Sequence, residues 1–494
     1  MSGAGSEGAG PTGSPAGAQP PPNPNPMRRL LGRGSVYTLG TALETAGVAL
    51  TLPIITRILS PEQFGEVATA LVIAAIVAYL GPLGVTAALA RIHFDGEHGP
   101  AQTRALLLWA PLISAGVALV VDLLGPLWAP AFGTEYTTVL RFAVWSAVPN
   151  AGFLAAQAAL IAQDRPTAMI SITVLSTVGA QLLAIVAIGP ADLGPAGYMG
   201  GFFVGRLLAA VIGLSLAGAT LKIADFKLLR DGVRLGLPTV THSIAMYLLN
   251  AGDRLVIASI SGLAAVGRYQ IAYVIGALGI MVQFAFNSAW GPMIYSQGVD
   301  TNWDATLSAT SNIVYRLAAL LASTLAIVAP VGLAIAAPPS YDLASLAPVA
   351  AIVSFSGLPL VAYSRSVTVL FQLKRTQTLA YAAPVAVGLN VAANFALVPV
   401  IGLSGAALAT VGALILLAAI VRRAAGRLHP IAWNRRVEAG SWAFAGILVA
   451  VAVVLPATGT WIALRVGIAL TLGALFLREV RGATVLSSGE PLRT

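Results

Sequence analysis

The chain of 494 residues is 57% hydrophobic and 10% charged, contains no cysteine, and carries a formal net charge of +9 at pH 7. An ordinary soluble domain has roughly 25% charged residues, so this chain cannot cover a water-facing surface, and lipid must be its solvent. The absent cysteines exclude disulfides and thiolate metal sites, and the basic balance, which in a soluble protein would suggest nucleic acid, is read here against a membrane.

Residues 1–27 open with MSGAGSEGAGPTGSPAGAQPPPNPNP, which holds one charge and no apolar run. Such a segment cannot bury enough surface to offset ordering entropy, and a disordered tail is expected. Arg28, Arg29 and Arg33 follow this tract and lead straight into a full-length apolar span, an arrangement unlike a cleaved signal peptide. A helix needs about 20 mostly apolar residues to cross the hydrocarbon core. Breaks at Gly, Pro or charge divide the rest of the chain into about fourteen such pieces, starting near Val36, Phe64, Arg104, Val139, Ala168, Gly197, Val233, Ala264, Ile313, Ser345, Leu379, Leu403, Ser441 and Trp461. The penultimate break rests only on LPATGT. The expected fold is an all-α membrane protein.

Every second connection is basic: Lys222, Lys227, Arg230 and Arg234 lie in one, and Arg422, Arg423, Arg427, Arg435 and Arg436 in another. The opposite connections are short and carry little beyond Arg57, Arg141 and Arg268. The positive-inside rule then puts both termini in the cytoplasm. Short outer connections weigh against a membrane-bound glycosyltransferase or polymerase, which needs an external loop with acids for sugar chemistry.

FGEVATALVIAA (64–75) laid over VGRYQIAYVIGA (266–277) gives five identities in twelve positions. The two segments are the second and eighth spans, six apart, so the halves share orientation and relate by a pseudo-twofold axis along the membrane normal. This predicts an amino-terminal lobe of six helices over 28–225 and a second over 226–430, facing each other across a central cavity. Helices 13 and 14, over 431–481, and a tail over 482–494 lie outside the repeat.

Polar residues three and four apart share a helix face. Tyr37, Thr41, Glu44 and Thr51 line one in the first span; Ser146, Asn150 and Gln157 the fourth; Thr173, Thr177 and Gln181 the fifth; Tyr269, Tyr273, Gln283, Asn287 and Trp290 the eighth; Ser364, Arg365, Thr368 and Gln372 the tenth. Each stripe alone also suits ordinary interhelical hydrogen bonding. The seventh span holds YLLNAGDRLVIASI (247–260), where Asp253 and Arg254 interrupt an apolar run, although each charge costs about 2.5–3.5 kcal/mol at a bilayer centre on insertion scales. Asn250 lies near the same face, and adjacent residues on a regular helix diverge by about 100°, so Asp253 and Arg254 are not expected simply to pair. Two readings follow: both charges lock neighbouring helices together, or Arg254, with Arg206, Arg365 and the rim residues Arg57 and Arg268, gives the cavity a positive wall suited to phosphate. Glu44 and Asp253 are the candidates to carry a coupling proton or cation.

Lys222, Lys227 and Lys374 are followed by Ile, Leu and Arg, so no phosphate-cradling G-x-x-x-x-G-K-[ST] loop exists. No H-E-x-x-H or G-x-S-x-G occurs either. Neither catalysis nor a cofactor is expected; energy has to come from a gradient, the membrane potential or metabolic pull.

The stretch GLPTVTHSIAMYLLNAGDRLVIASISGLAAVGRYQIAY (236–273) resembles the seventh and eighth helices of polysaccharide-export flippases, the Wzx-type branch of the multidrug/oligosaccharidyl-lipid/polysaccharide (MOP) superfamily, with their Asp-Arg pair followed by V-G-x-Y. LPIITRILSPEQFGEVATA and NVAANFALVPVIGLSGAALAT (390–410) resemble two further signatures. The resemblance covers roughly residues 30–440. It implies twelve to fourteen helices in two lobes, alternating access, and transfer of an undecaprenyl-diphosphate-linked oligosaccharide from the inner to the outer leaflet of a bacterial cell membrane. Polysaccharide polymerase and glycosyltransferases are the partners implied. The Asp253 and Arg254 match is direct; cavity roles for Arg206, Arg365 and Glu44, and for Asn250, Gln283 and Asn287, come from position alone. Lipid II flippases and drug antiporters share the superfamily, and a scaffold for polysaccharide enzymes is the rival of another class.

Overall fold

A computed structural model of the chain describes residues 50–94, 96, 98–220, 226–280, 294, 301–457 and 459–488. Regular structure among these residues is entirely helical. Among the described residues eleven helical segments are long and apolar enough to cross a membrane, or twelve when one bent pair counts as a single span. The expected first span, from Val36, lies mostly outside the described residues, and the eighth is described from Leu263 to Ile280. Rows of large apolar side chains face outward, such as Leu208, Val211 and Ile212 on one helix and Val385, Leu389 and Phe395 on another. Lipid accommodates this pattern and water would not.

The amino-terminal helices are α1 (Pro61–Leu80), α2 (Val85–Ile92), α3 (Gly99–Leu106), α4 (Trp109–Leu123), α5 (Thr138–Trp145), α6 (Ala147–Ala162), α7 (Pro166–Val174), α8 (Ala180–Ile188) and α9 (Gly194–Leu216). Helices α3 with α4, α5 with α6, and α7 with α8 each form one span, the last through a π turn at Leu175–Gly179. After them come α10 (Phe226–Ala251), α11 (Asp253–Ser261), α12 (Leu263–Gly276), α13 (Thr301–Ala336), α14 (Leu343–Ser354), α15 (Gly357–Gln372), α16 (Gln377–Ile401), α17 (Leu403–Leu428), α18 (Arg435–Val454) and α19 (Thr460–Ser488). The break expected at LPATGT separates α18 from α19. The ninth span starts twelve residues before its expected position because helix α13 continues through the polar segment around Asp304. At 36 residues it is about 54 Å long, well beyond the roughly 30 Å hydrocarbon core, so its first turns extend past the membrane.

Local signals explain where α1 begins. Ser60 caps it by accepting from the Gln63 amide at 3.3 Å, the Gln63 side chain accepts from the Ser60 amide at 3.0 Å, and Pro61 fills the first position. Reciprocal caps of this kind satisfy amides that the first turn leaves unpaired.

The amino-terminal and carboxy-terminal helices meet along α1 with α12 and along α2 with α10. Both contacts are backbone against backbone. A Cβ on Gly65 would sit 1.7 Å from the Leu263 carbonyl oxygen, and one on Gly267 would sit 2.0 Å from that of Pro61. Gly65 and Gly267 occupy equivalent positions of the internal repeat, as residues meeting across a twofold axis do. At the far end of α1, a Cβ on Gly236 would sit 1.9 Å from the Gly84 carbonyl oxygen, while Gly84 itself has φ +83°, a conformation glycine adopts without steric cost. The seam between the two helix groups is therefore closed near both ends of α1.

Gly65→Val should open the first contact and lower stability in detergent by about 1–3 kcal/mol, the usual cost of overpacking. The control Gly388→Val, where nothing lies within 4 Å, should change the melting temperature far less; equal losses would show that close backbone approach at Gly65 contributes nothing.

Candidate transport site

Gly252 separates α10 from α11, and the two helices bend by 48°. Asp253 is the first residue of α11, where the helix N-terminus favours a carboxylate. Contrary to the expectation from an unbroken helix, Arg254 turns back and pairs with its neighbour, Nη1 standing 2.6 Å from Asp253 Oδ1. Both side chains are almost fully buried, 4% and 1% exposed. The same Nη1 donates to the Asn250 carbonyl at 2.7 Å, Nε donates to Gln270 Oε1 at 3.0 Å, and the guanidinium lies 3.8 Å from the Tyr273 ring centroid. Asp253 Oδ2 accepts from the Tyr269 hydroxyl at 2.5 Å and from Thr410 Oγ1 at 3.3 Å. Beyond Thr410, Asn390 Nδ2 donates to that hydroxyl at 3.3 Å and Asn394 Nδ2 donates to the Asn390 carbonyl at 2.8 Å. A polar chain thus runs from α11 through α17 into α16 at membrane depth.

The other arginines have separate surroundings. Arg206 on α9 donates to Asn150 Oδ1 on α6 at 2.8 Å and stacks 4.4 Å from the Phe202 ring centroid, within the amino-terminal helices. Arg365 departs from its expected place on a cavity wall: it is 2% exposed and packed within the carboxy-terminal helices. Its Nη2 donates to Glu438 Oε2 on α18 at 2.7 Å, and its guanidinium is sandwiched by Trp433 and Tyr315. Arg422 also binds Glu438, so one carboxylate serves two guanidinium groups. Arg57 donates to the Pro53 carbonyl at 2.6 Å and the Ile335 carbonyl at 3.3 Å. Arg268 stands 3.7 Å from Asp342. Asn250 turns its amide to the Met246 carbonyl at 2.7 Å. Glu44, Gln283 and Asn287 lie outside the described residues.

Sequence reasoning missed Glu438, which resembles a solvated residue of a basic connection until α18 folds over Arg365. It also missed Arg465 in α19. That side chain is 1% exposed and donates to the carbonyls of Ile327, Ala452, Leu455 and Pro456. Ala452 is in the last turn of α18, Leu455 caps it and Pro456 follows, a place where carbonyls lack helical partners.

The rim is tied by Thr56 donating to the Ala336 carbonyl and the Tyr341 hydroxyl donating to the Leu59 carbonyl, each at 2.7 Å. Burial in this connection pushes the Tyr341 phenol above its ordinary range. At the opposite end a cavity of about 240 Å³ straddles the seam, lined by Tyr79 and Thr86 on one side and Thr239 and Ser243 on the other. A volume this small leaves no room for an oligosaccharide at that place.

Two helix groups joined at a seam are a fold that solved MOP-superfamily transporters share. The closed structure of the lipid II flippase MurJ, in its inward closed conformation, superposes with a TM-score of 0.66 over 92% of this chain and 100% of that one, at 13% identity. An inward-facing multidrug resistance MATE family transporter gives 0.62 over 81% and 98%, at 14% identity. A MOP superfamily transporter from Pyrococcus furiosus gives 0.55 over 84% and 97%, at 15% identity. No curated protein sequence matches. Residues 31–297 match the family described as Polysaccharide biosynthesis protein, and the chain belongs to that family.

Removing one partner of a buried ion pair leaves the other charge uncompensated and costs about 3–5 kcal/mol. Asp253→Asn or Arg254→Gln alone should each destabilise the protein in detergent denaturation by that order, and the double variant by clearly less than their sum. Additive losses would contradict a coupled pair.

Proposed function

We propose that the protein is a flippase that moves an undecaprenyl-diphosphate-linked oligosaccharide from the inner to the outer leaflet of a bacterial cell membrane, by alternating access, for surface polysaccharide biosynthesis. The observation that carries this reading is membership of the polysaccharide biosynthesis family over residues 31–297, a stretch that includes Arg206, Asp253, Arg254 and both glycine contacts of the seam. Basic residues at alternate connections support cytoplasmic termini, and the surrounding glycosyltransferases and polymerase are its working partners.

The passenger presents a diphosphate, several hydroxyls and a long apolar tail. The tail has no need to leave the bilayer, so the protein must supply a wet path for the sugars and cations for the diphosphate. Opening of the seam would bring water to α11 and its partners, where Arg254 exchanges part of its internal bonding for phosphate oxygens; a planar guanidinium suits that bidentate geometry. Arg206, across the seam on α9, is the second binding candidate, and Arg57 and Arg268 serve entry or release at the rim. Asp253, freed from Arg254 in that exchange, is the residue to take up a coupling proton or cation, with Glu44 as the other candidate.

The test is leaflet exchange in vesicles containing the purified protein and a fluorescent undecaprenyl-diphosphate oligosaccharide. The proposal expects exchange well above that of protein-free vesicles, and Arg254→Lys, which keeps the charge and loses the fork, should slow it about tenfold or more at equal reconstitution, a change of about 1.4 kcal/mol. No exchange would favour the scaffold reading. Exchange of lipid II alone would assign the protein to peptidoglycan, and dye transport without lipid exchange would make it a drug antiporter.

A further inference from the structure

We infer that a groove between α13, α18 and α19 binds the phosphate headgroup of a resident anionic phospholipid, a site separate from the transport seam. The groove has a volume of about 550 Å³, and its charged lining is Arg316, Arg436, Arg478 and Glu479. Three guanidinium groups thus face one carboxylate. Glu479 stands 3.8 Å from Arg316, and no hydrogen bond or ion pair among the described residues engages Arg436 or Arg478.

Polarity changes along the groove in one direction on all three helices. Helix α13 passes from Arg316 to Leu320, α18 from Arg436 through Ser441 to Phe444, and the antiparallel α19 from Arg478 back to Leu475. At about 1.5 Å per residue the apolar lining lies roughly 5–12 Å deeper than the arginines. Arg436 is in the first turn of α18 and Arg478 is close to the end of the α19 span, so the cationic mouth sits at the membrane surface and the apolar walls lie in the hydrocarbon. A free phosphate would use only the mouth. A phospholipid uses both, with its phosphate on the guanidinium groups and an acyl chain along Leu320, Phe444 and Leu475. Basic pockets between helices at the cytoplasmic surface recognise anionic headgroups in this way.

The experiment measures binding to the full-length protein, purified and delipidated in detergent, by native mass spectrometry. Phosphatidylglycerol and phosphatidylcholine of identical chains are offered in turn. The wild type should bind phosphatidylglycerol about tenfold more tightly, and the variant Arg316→Gln/Arg436→Gln/Arg478→Gln should lose that preference. A variant with the same loss of charge elsewhere, Arg423→Gln/Arg427→Gln/Arg435→Gln, should keep it. Glycerol 3-phosphate at equal concentration should fail to displace the lipid. Equal binding of the two lipids, an unchanged preference in the groove variant, an equal loss in the control, or displacement by glycerol 3-phosphate would each overturn the assignment. Should the triple variant not accumulate, the single substitution Arg436→Gln, at an exposed side chain, decides the same question through a weakened preference. These readings need no transported substrate, so they stand or fall separately from the flippase proposal.

Discussion

The buried pair of Asp253 and Arg254 is the interaction around which the rest of the membrane interior is arranged. A single charge at that depth is costly; two of opposite sign at 2.6 Å remain costly unless their remaining hydrogen-bonding capacity is also used. That requirement draws in Gln270, the Asn250 carbonyl, Tyr269, Tyr273 and Thr410, and through Thr410 the asparagines of α16. Four helices are thereby specified relative to α11 by one ion pair. The same rule governs Arg365 and Arg422 on Glu438, and Arg465 on the carbonyls that end α18. In each case the charge is tolerated because protein atoms replace water.

These networks lie within helix groups, whereas the contacts between the groups are of another kind. Where α1 meets α12 and α2 meets α10, the partners are glycines and backbone carbonyls. Close backbone packing of this sort depends on shape and carries few directional bonds, so separating it exposes little unsatisfied polarity beyond a few hydrogen bonds such as Tyr341 to Leu59. Strong bonds inside the groups and weaker ones between them would suit a rocking of one group against the other, the motion that parallel-repeat transporters make.

Hydropathy made the spans legible, because a lipid-facing helix leaves an unbroken apolar run in the sequence; even the break at LPATGT proved real. The repeat was legible at Gly65 and Gly267, which the structure brings face to face. Three features were hidden for physical reasons. Asp253 and Arg254 pair because Gly252 interrupts the helix, and a glycine in an apolar run does not announce a bend. Glu438 belongs to a basic connection by sequence and to a buried ion cluster by packing, since Arg365, the partner that buries it, lies 73 residues away along the chain. Arg465 has no acidic partner to search for; carbonyls at the end of α18 satisfy it. The position of Arg365 failed for the same reason as Glu438: a polar stripe states which face is polar and leaves open what covers it.

The most direct test of this account follows the seam itself. The chain has no cysteine, so Thr167→Cys, exposed in the first turn of α7, and Thr376→Cys, exposed just before α16, accept spin labels without competing sites. Distance distributions in vesicles should be narrow in the resting protein and gain a second, longer population when lipid-linked oligosaccharide is supplied. A single unchanged distance in vesicles where the labelled protein is moving that lipid would contradict a transport cycle built on opening and closing the seam.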